Sequence, residues 1–129
     1  MNQPDLSREV RLTIPARQDY ALVASMTLCG LGMSAGLDMD LLGDLRTVTC
    51  ECMDCLLHQA GRPESIEVCA RVEGGRLCVD FRAVSRRRTQ AADALDLDIT
   101  RGVLETLMTQ VRLQQDGDGV YDIECSMTV

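Results

Sequence analysis

Hydrophobic and polar positions alternate along this chain with two distinct periods. From residue 38 to 59, Leu41, Leu42, Leu45, Val48, Cys52, Cys55 and Leu56 recur at spacings of three and four, which gathers them on one stripe of an α-helix. Asp38 is the expected N-cap, and Asp40 and Asp44 suit the positive end of the helix. The run Gly61-Arg62-Pro63 is expected to end it, because proline biases the preceding residue away from helical geometry. Residues 18–36 predict another helix, with a broad apolar face of Tyr20, Leu22, Val23, Met26, Leu28, Cys29 and Leu31. Residues 98–111 predict a third through Ile99, Val103, Leu104, Leu107, Met108 and Val111.

The other segments alternate with period two. Residues 8–15 set Val10, Leu12 and Ile14 against Arg11 and Thr13, and Pro15 suits the end of an edge strand. Residues 64–73 and 76–84 alternate on either side of Gly74-Gly75, a two-residue hairpin signal. Residues 111–115 and 120–129 predict a last hairpin. Residues 85–97 are polar and predict a loop. Residues 1–7 predict a flexible N-terminus preceding one domain over residues 8–129. The order β, α, α, β, β, α, β, β, with strands joined by tight turns, implies an α+β two-layer sandwich. In it three helices pack on one face of a mostly antiparallel, mixed sheet.

Composition narrows the function classes. A net charge of −7 argues against nucleic-acid binding. No apolar run reaches the roughly 18 residues of a membrane span, and the N-terminus lacks a signal-peptide pattern, so a cytoplasmic location is expected. All 13 basic residues are arginine. A phosphate-loop lysine and a Schiff-base lysine are therefore both excluded. Seven cysteines, an odd number, read as reduced small hydrophobes in a core. The sharper alternative is a thiol or metal sensor built on Cys50, Cys52, Cys55 and His58.

Beside its apolar stripe, the helix over 38–59 carries a polar ridge of Cys50, Glu51, Asp54 and His58. The segment D-x-D-L-L-x-D-L-x-x-V, the strand hairpin that follows and V-L-E-T-L-M-T-Q-V over 103–111 together resemble the anti-sigma-factor serine kinases. That family has the histidine kinase-like (GHKL, Bergerat-type) ATPase fold, and the resemblance covers residues 8–129 in element order and length. It implies a nucleotide site in which a glutamate, a magnesium-holding asparagine four residues later and a histidine four further line one helix. Cys50, Asp54 and His58 occupy those positions here. Asp54 can still ligate magnesium as a hard oxygen donor, whereas Cys50 cannot serve as a carboxylate base. The family's Asp-x-Gly-x-Gly adenine motif corresponds to Ala83-Val84-Ser85-Arg86-Arg87, without its aspartate or glycines. Its glycine-rich lid and helix entry correspond to Asp98-Ile99-Thr100-Arg101-Gly102, with one glycine.

The resemblance thus implies a degenerate relative: a regulatory protein that keeps the scaffold, binds a protein partner and has lost ATP binding and kinase activity. The implied partner is a sigma factor or an anti-anti-sigma-like regulator. The family also forms homodimers, and the exposed sides of residues 8–15 and 18–36 correspond to the end through which it does so and grips its sigma factor. The competing expectation is an ATP-dependent serine kinase with an atypical site. There Asp54 would hold magnesium, and Arg86, Arg87 and Arg88 would bind phosphate by charge in place of the missing loop.

Overall fold

The computed structural model describes residues 9–88 and 97–129. The predicted flexible N-terminus, most of the predicted loop over 85–97 and the side chain of Arg88 lie outside the described residues. The chain begins with β1 (Glu9–Pro15), passes through a 3-10 turn at Gln18–Tyr20 and enters α1 (Ala21–Ser34) and α2 (Met39–Leu57). There follow β2 (Gly61–Arg62), β3 (Ser65–Glu73), β4 (Arg76–Val84), β5 (Arg87–Arg88), α3 (Leu97–Leu107), β6 (Gln110–Asp116) and β7 (Gly119–Thr128). The main sheet has the order β1-β3-β4-β7-β6, and β2 pairs with β5 in a separate two-residue ladder.

Every described strand pair is antiparallel, which corrects the expectation of a mixed sheet. The reason is connectivity. β3–β4 and β6–β7 are tight hairpins, the α1–α2 connection returns β3 antiparallel to β1, and the α3 connection lays β6 parallel to β4 but one place away, with β7 antiparallel between them. The register lines apolar residues across the sheet, for example Leu12, Val68, Phe81, Ile123 and Leu113 in one row. This face packs with Leu45, Val48, Cys52, Met53 and Leu56 of α2 and Leu104 of α3 in one continuous core. The intervening side chains form the opposite face, where Arg11, Cys69, Asp80, Glu124 and Arg112 make one row. The arrangement is therefore two-layered, with an apolar face under the helices and a charged outer face.

Helix α2 matches its pattern closely. Asp38 accepts the Leu41 amide at 2.9 Å as the N-cap, and Leu45, Val48, Cys52, Cys55 and Leu56 are all buried. The helix stops at Leu57, with His58 as its C-cap, well before Pro63. Helix α3 is shorter than its pattern. It ends at Leu107, and Val111 belongs to β6, opposite Cys125.

Helix α1 departs from its pattern. Its buried residues are Ala21, Ala24, Ser25, Leu28 and Gly32, whereas Leu22, Val23 and Met26, expected in the core, are exposed. Apolar residues surround this helix on all sides, so periodicity alone gives no direction. Close packing decides instead. A Cβ at Gly32 would lie 2.8 Å from Leu37 Cδ1 and 3.0 Å from Leu42 Cδ2, so the small-residue side is the one that fits against α2.

Candidate functional site

Three features of this architecture are positioned to carry function: the polar ridge of α2, the outer face of α1 and the charged face of the sheet.

On the ridge, helical spacing brings Cys50, Asp54 and His58 together as the sequence implies. Cys50 is exposed, and the Asp54 and His58 side chains are about half exposed. His58 Nδ1 lies 2.7 Å from the Asp54 carbonyl oxygen and 3.1 Å from its carboxylate. The imidazole is thus engaged in closing the end of its own helix and in an ion pair with Asp54 when protonated.

The arginines do not join this ridge. Arg86 is mostly buried, forms an ion pair with Asp116 and stands 5.2 Å above the Tyr121 ring. The guanidinium holds the Asp116 carboxyl below its ordinary range, chiefly through the hydrogen bond it donates. Arg87 is exposed and pairs with Glu64 at 3.3 Å. Arg86 therefore fastens the segment after β4 to the β6–β7 hairpin, and the expectation of a phosphate-binding triplet loses its first member. Gly102 is exposed within α3, and a Cβ there would meet no protein atom within 4 Å.

The cysteines separate by burial. Cys52 and Cys55 are fully buried and Cys50 lies outside, although all three share α2. Burial pushes the Cys55 thiol up to about 11, with Asp54 and Glu51 adding to the effect. It raises Cys52 well above the ordinary thiol value, with further contributions from Cys125 across the core. Such thiols stay protonated near neutral pH, and the thiolate is the form that binds metal or attacks. Among the described residues, the Cys50–Cys52–Cys55–His58 set does not converge on a common point.

Pattern reading assigned Leu22, Val23 and Met26 to the apolar face of α1, yet these three, and Met33 beyond them, are at the surface. Leu22 is 56% exposed, Val23 43%, Met26 68% and Met33 66%. Positions 22, 26 and 33 repeat at four and seven along one side of the helix. No charged residue occurs anywhere in α1, so the strip carries no solubilising side chain.

The charged sheet face contains a group that sequence reading did not single out. Asp80 faces Glu124 across the β4–β7 ladder, and Asp122 is the next outward residue of β7, opposite Arg82. One carboxylate oxygen from each of Asp80, Asp122 and Glu124 lies within 4.8 Å of the other two. The Asp122 side chain is 0% exposed, and its nearest cation is Arg82 Nη2 at 3.9 Å, beyond hydrogen-bond length. With both acids ionised, no donor reaches either Asp122 oxygen or Asp80 Oδ1. Burial, then a hydrogen bond with Asp122 and that group's charge, pushes Asp80 from an ordinary 3.8 up to about 8, so Asp80 holds a proton that the pair shares at neutral pH. Strict alternation of β4 and β7 was the available sequence signal. It places these acids on one face, but not which residues of the two strands meet.

Compared with known proteins, the chain matches no family model and no curated protein sequence.

Proposed function

We propose that this protein is a non-catalytic regulatory module of the anti-sigma-factor type, with a histidine kinase-like ATPase scaffold, that acts by binding a protein partner through the outer side of α1. The observation that carries this reading is the charge-free exposed strip of Leu22, Val23, Met26 and Met33. Large side chains exposed together on an uncharged helix gain by burial against another protein, at roughly 25 cal/mol for each Å² of apolar surface covered. The element order supports the scaffold assignment. Loss of the nucleotide reaction is supported by Cys50 at the position of the family's glutamate and by Arg86 held on Asp116. The partner class is a sigma factor or a regulator of one, as the resemblance implies.

The test is direct binding of the purified chain to purified alternative sigma factors of the same genome. The reading expects one of them to bind, and Met26→Asp combined with Met33→Asp to abolish that binding while circular dichroism stays unchanged. Binding to none, or binding indifferent to both substitutions, refutes it. The serine-kinase alternative predicts transfer of labelled phosphate from ATP to the partner, lost in Asp54→Ala.

A further inference from the structure

We propose that the hollow of about 540 Å³ on the uncovered face of the sheet binds a small molecule through a carboxylate group, held by Arg76, Arg112 and the Ser126 hydroxyl. The hollow follows from side-chain length. Cys69, Cys78, Asp80 and Ser126 stand short on the central strands β3, β4 and β7, and five long arginines, Arg11, Arg71, Arg76, Arg82 and Arg112, line the space around them. A volume of this size suits a small metabolite better than a bare ion.

Pairing separates these arginines into two groups. Arg11 pairs with Glu9 at 3.2 Å, Arg71 with Glu73 at 3.1 Å, and Arg82 stands 3.9 Å from Asp122. Arg76 and Arg112 have no acid partner among the described residues. Arg76 Nη2 donates instead to Ser126 Oγ at 3.0 Å, which holds its guanidinium down on the sheet face. A guanidinium without an acid partner suits a carboxylate, which its planar fork grips through two parallel hydrogen bonds.

The register places the two on opposite sides of one hydroxyl. Ser126 faces Cys78 on β4 and Gln110 on β6, so Arg76 and Arg112, each two residues along a neighbouring strand, are its diagonal neighbours. Diagonal neighbours lie about 7–8 Å apart, within reach of a long side chain. The Ser126 oxygen accepts from Arg76, which leaves its proton for an acceptor above the sheet. A carboxylate seated there receives N–H groups from both sides and the O–H from below. Charge sets its valence. Five guanidinium groups line the hollow against Glu9, Glu67 and Glu124 and the single charge that Asp80 and Asp122 share. One positive charge is in excess, on a chain of net charge −7, so a singly charged carboxylate balances the site and a phosphate dianion does not. Glu124, directly across from Arg112, opposes the ligand. A dissociation constant on the order of 1 mM is expected for one anchored group on an open face.

The experiment is a titration of the isotope-labelled full chain with three monocarboxylates, lactate, pyruvate and benzoate, followed by amide nuclear magnetic resonance shifts at constant ionic strength. Saturable shifts are expected at Arg76, Gln110, Arg112 and Ser126 for at least one of them. Arg76→Gln and Arg112→Gln should each weaken that binding about tenfold or more. Glu124→Gln should tighten it, and Met26→Asp combined with Met33→Asp on α1 should leave it unchanged. Arg112 is exposed, so its variant keeps the fold even where an Arg76 variant does not. Absence of saturable shifts with all three acids well above millimolar concentration overturns the site, as does binding that survives both arginine substitutions. The same saturable shifts with inorganic phosphate or chloride overturn the carboxylate assignment.

Discussion

Gln59 and Val120 join the end of α2 to the start of β7. The Gln59 side-chain oxygen accepts the Val120 amide at 3.0 Å, while its amide nitrogen donates to the Cys55 carbonyl at 2.8 Å. Gln59 is 7% exposed, and Val120 is fully buried. One side chain thus reinforces the Cys55 carbonyl, which also accepts the His58 amide at 3.3 Å, and satisfies the Val120 amide. Replacing it with alanine strands the buried Val120 amide. Gln59→Ala should therefore destabilise the fold by about 1–3 kcal/mol, measured by urea denaturation with an unchanged m-value.

The same contact dictates glycine at position 119. Its φ is +104°, and a Cβ would fall 2.3 Å from Gln59 Oε1 and 2.9 Å from Gln59 Cβ. Gly119→Ala should cost about 2 kcal/mol or more, because backbone strain and the collision act together. In a Gln59→Ala background the collision with the end of the side chain is removed and only the approach to Cβ at 2.9 Å remains, so the double variant should be less destabilised than the sum of the two singles.

Asp80 makes stability depend on pH in an unusual direction for a carboxyl. Its folded-state value near 8 stands above its ordinary 3.8, so between those limits the folded chain holds a proton that the unfolded chain has released. Stability from this group is then fully present below about pH 4 and is lost as pH rises through 8. The melting midpoint should fall from pH 6 to pH 8.5, and Asp80→Asn should flatten that decline. A midpoint equally pH-dependent in the variant would contradict the assignment.

Thiol reactivity should follow burial. Iodoacetamide at pH 7.5 should modify Cys50 first in the folded protein, with Cys52, Cys55 and Cys125 protected until unfolding. Cys69, raised to about 11 by burial and by Glu67, should react slowly despite its partial exposure. Peptide mass spectrometry over a time course gives the order.

Millimolar Mg-ATP should leave the melting midpoint unchanged. A ligand present at a hundred times its dissociation constant adds about 2.7 kcal/mol, a shift of several degrees in a domain of this size. Arg86→Ala should lower the midpoint with or without nucleotide, because it removes the tie to Asp116 and Tyr121. A nucleotide-dependent rise lost in Asp54→Ala would place the kinase reading first.

The sequence by itself determined the principal elements, though not the short β2–β5 ladder or the end of α3. Period-three-and-four spacing located α2, its cap at Asp38 and its buried stripe, and period-two alternation with Gly74-Gly75 located the β3–β4 hairpin. These are local matters, settled by side-chain direction and turn geometry within a few residues. Local pattern also placed Cys50, Asp54 and His58 on one ridge, since a helix fixes that spacing unaided.

Tertiary structure decided the rest. A helix apolar on every side has no preferred face until a neighbour is present, and Gly32 against Leu37 and Leu42 turned Leu22, Met26 and Met33 outward. Arg86 reads as one of three equivalent cations until Asp116 and Tyr121, 30 residues and more away, claim it. The meeting of Asp80 with Asp122 and Glu124 depends on the β4–β7 register, a pairing across some 40 residues that alternation within either strand cannot specify.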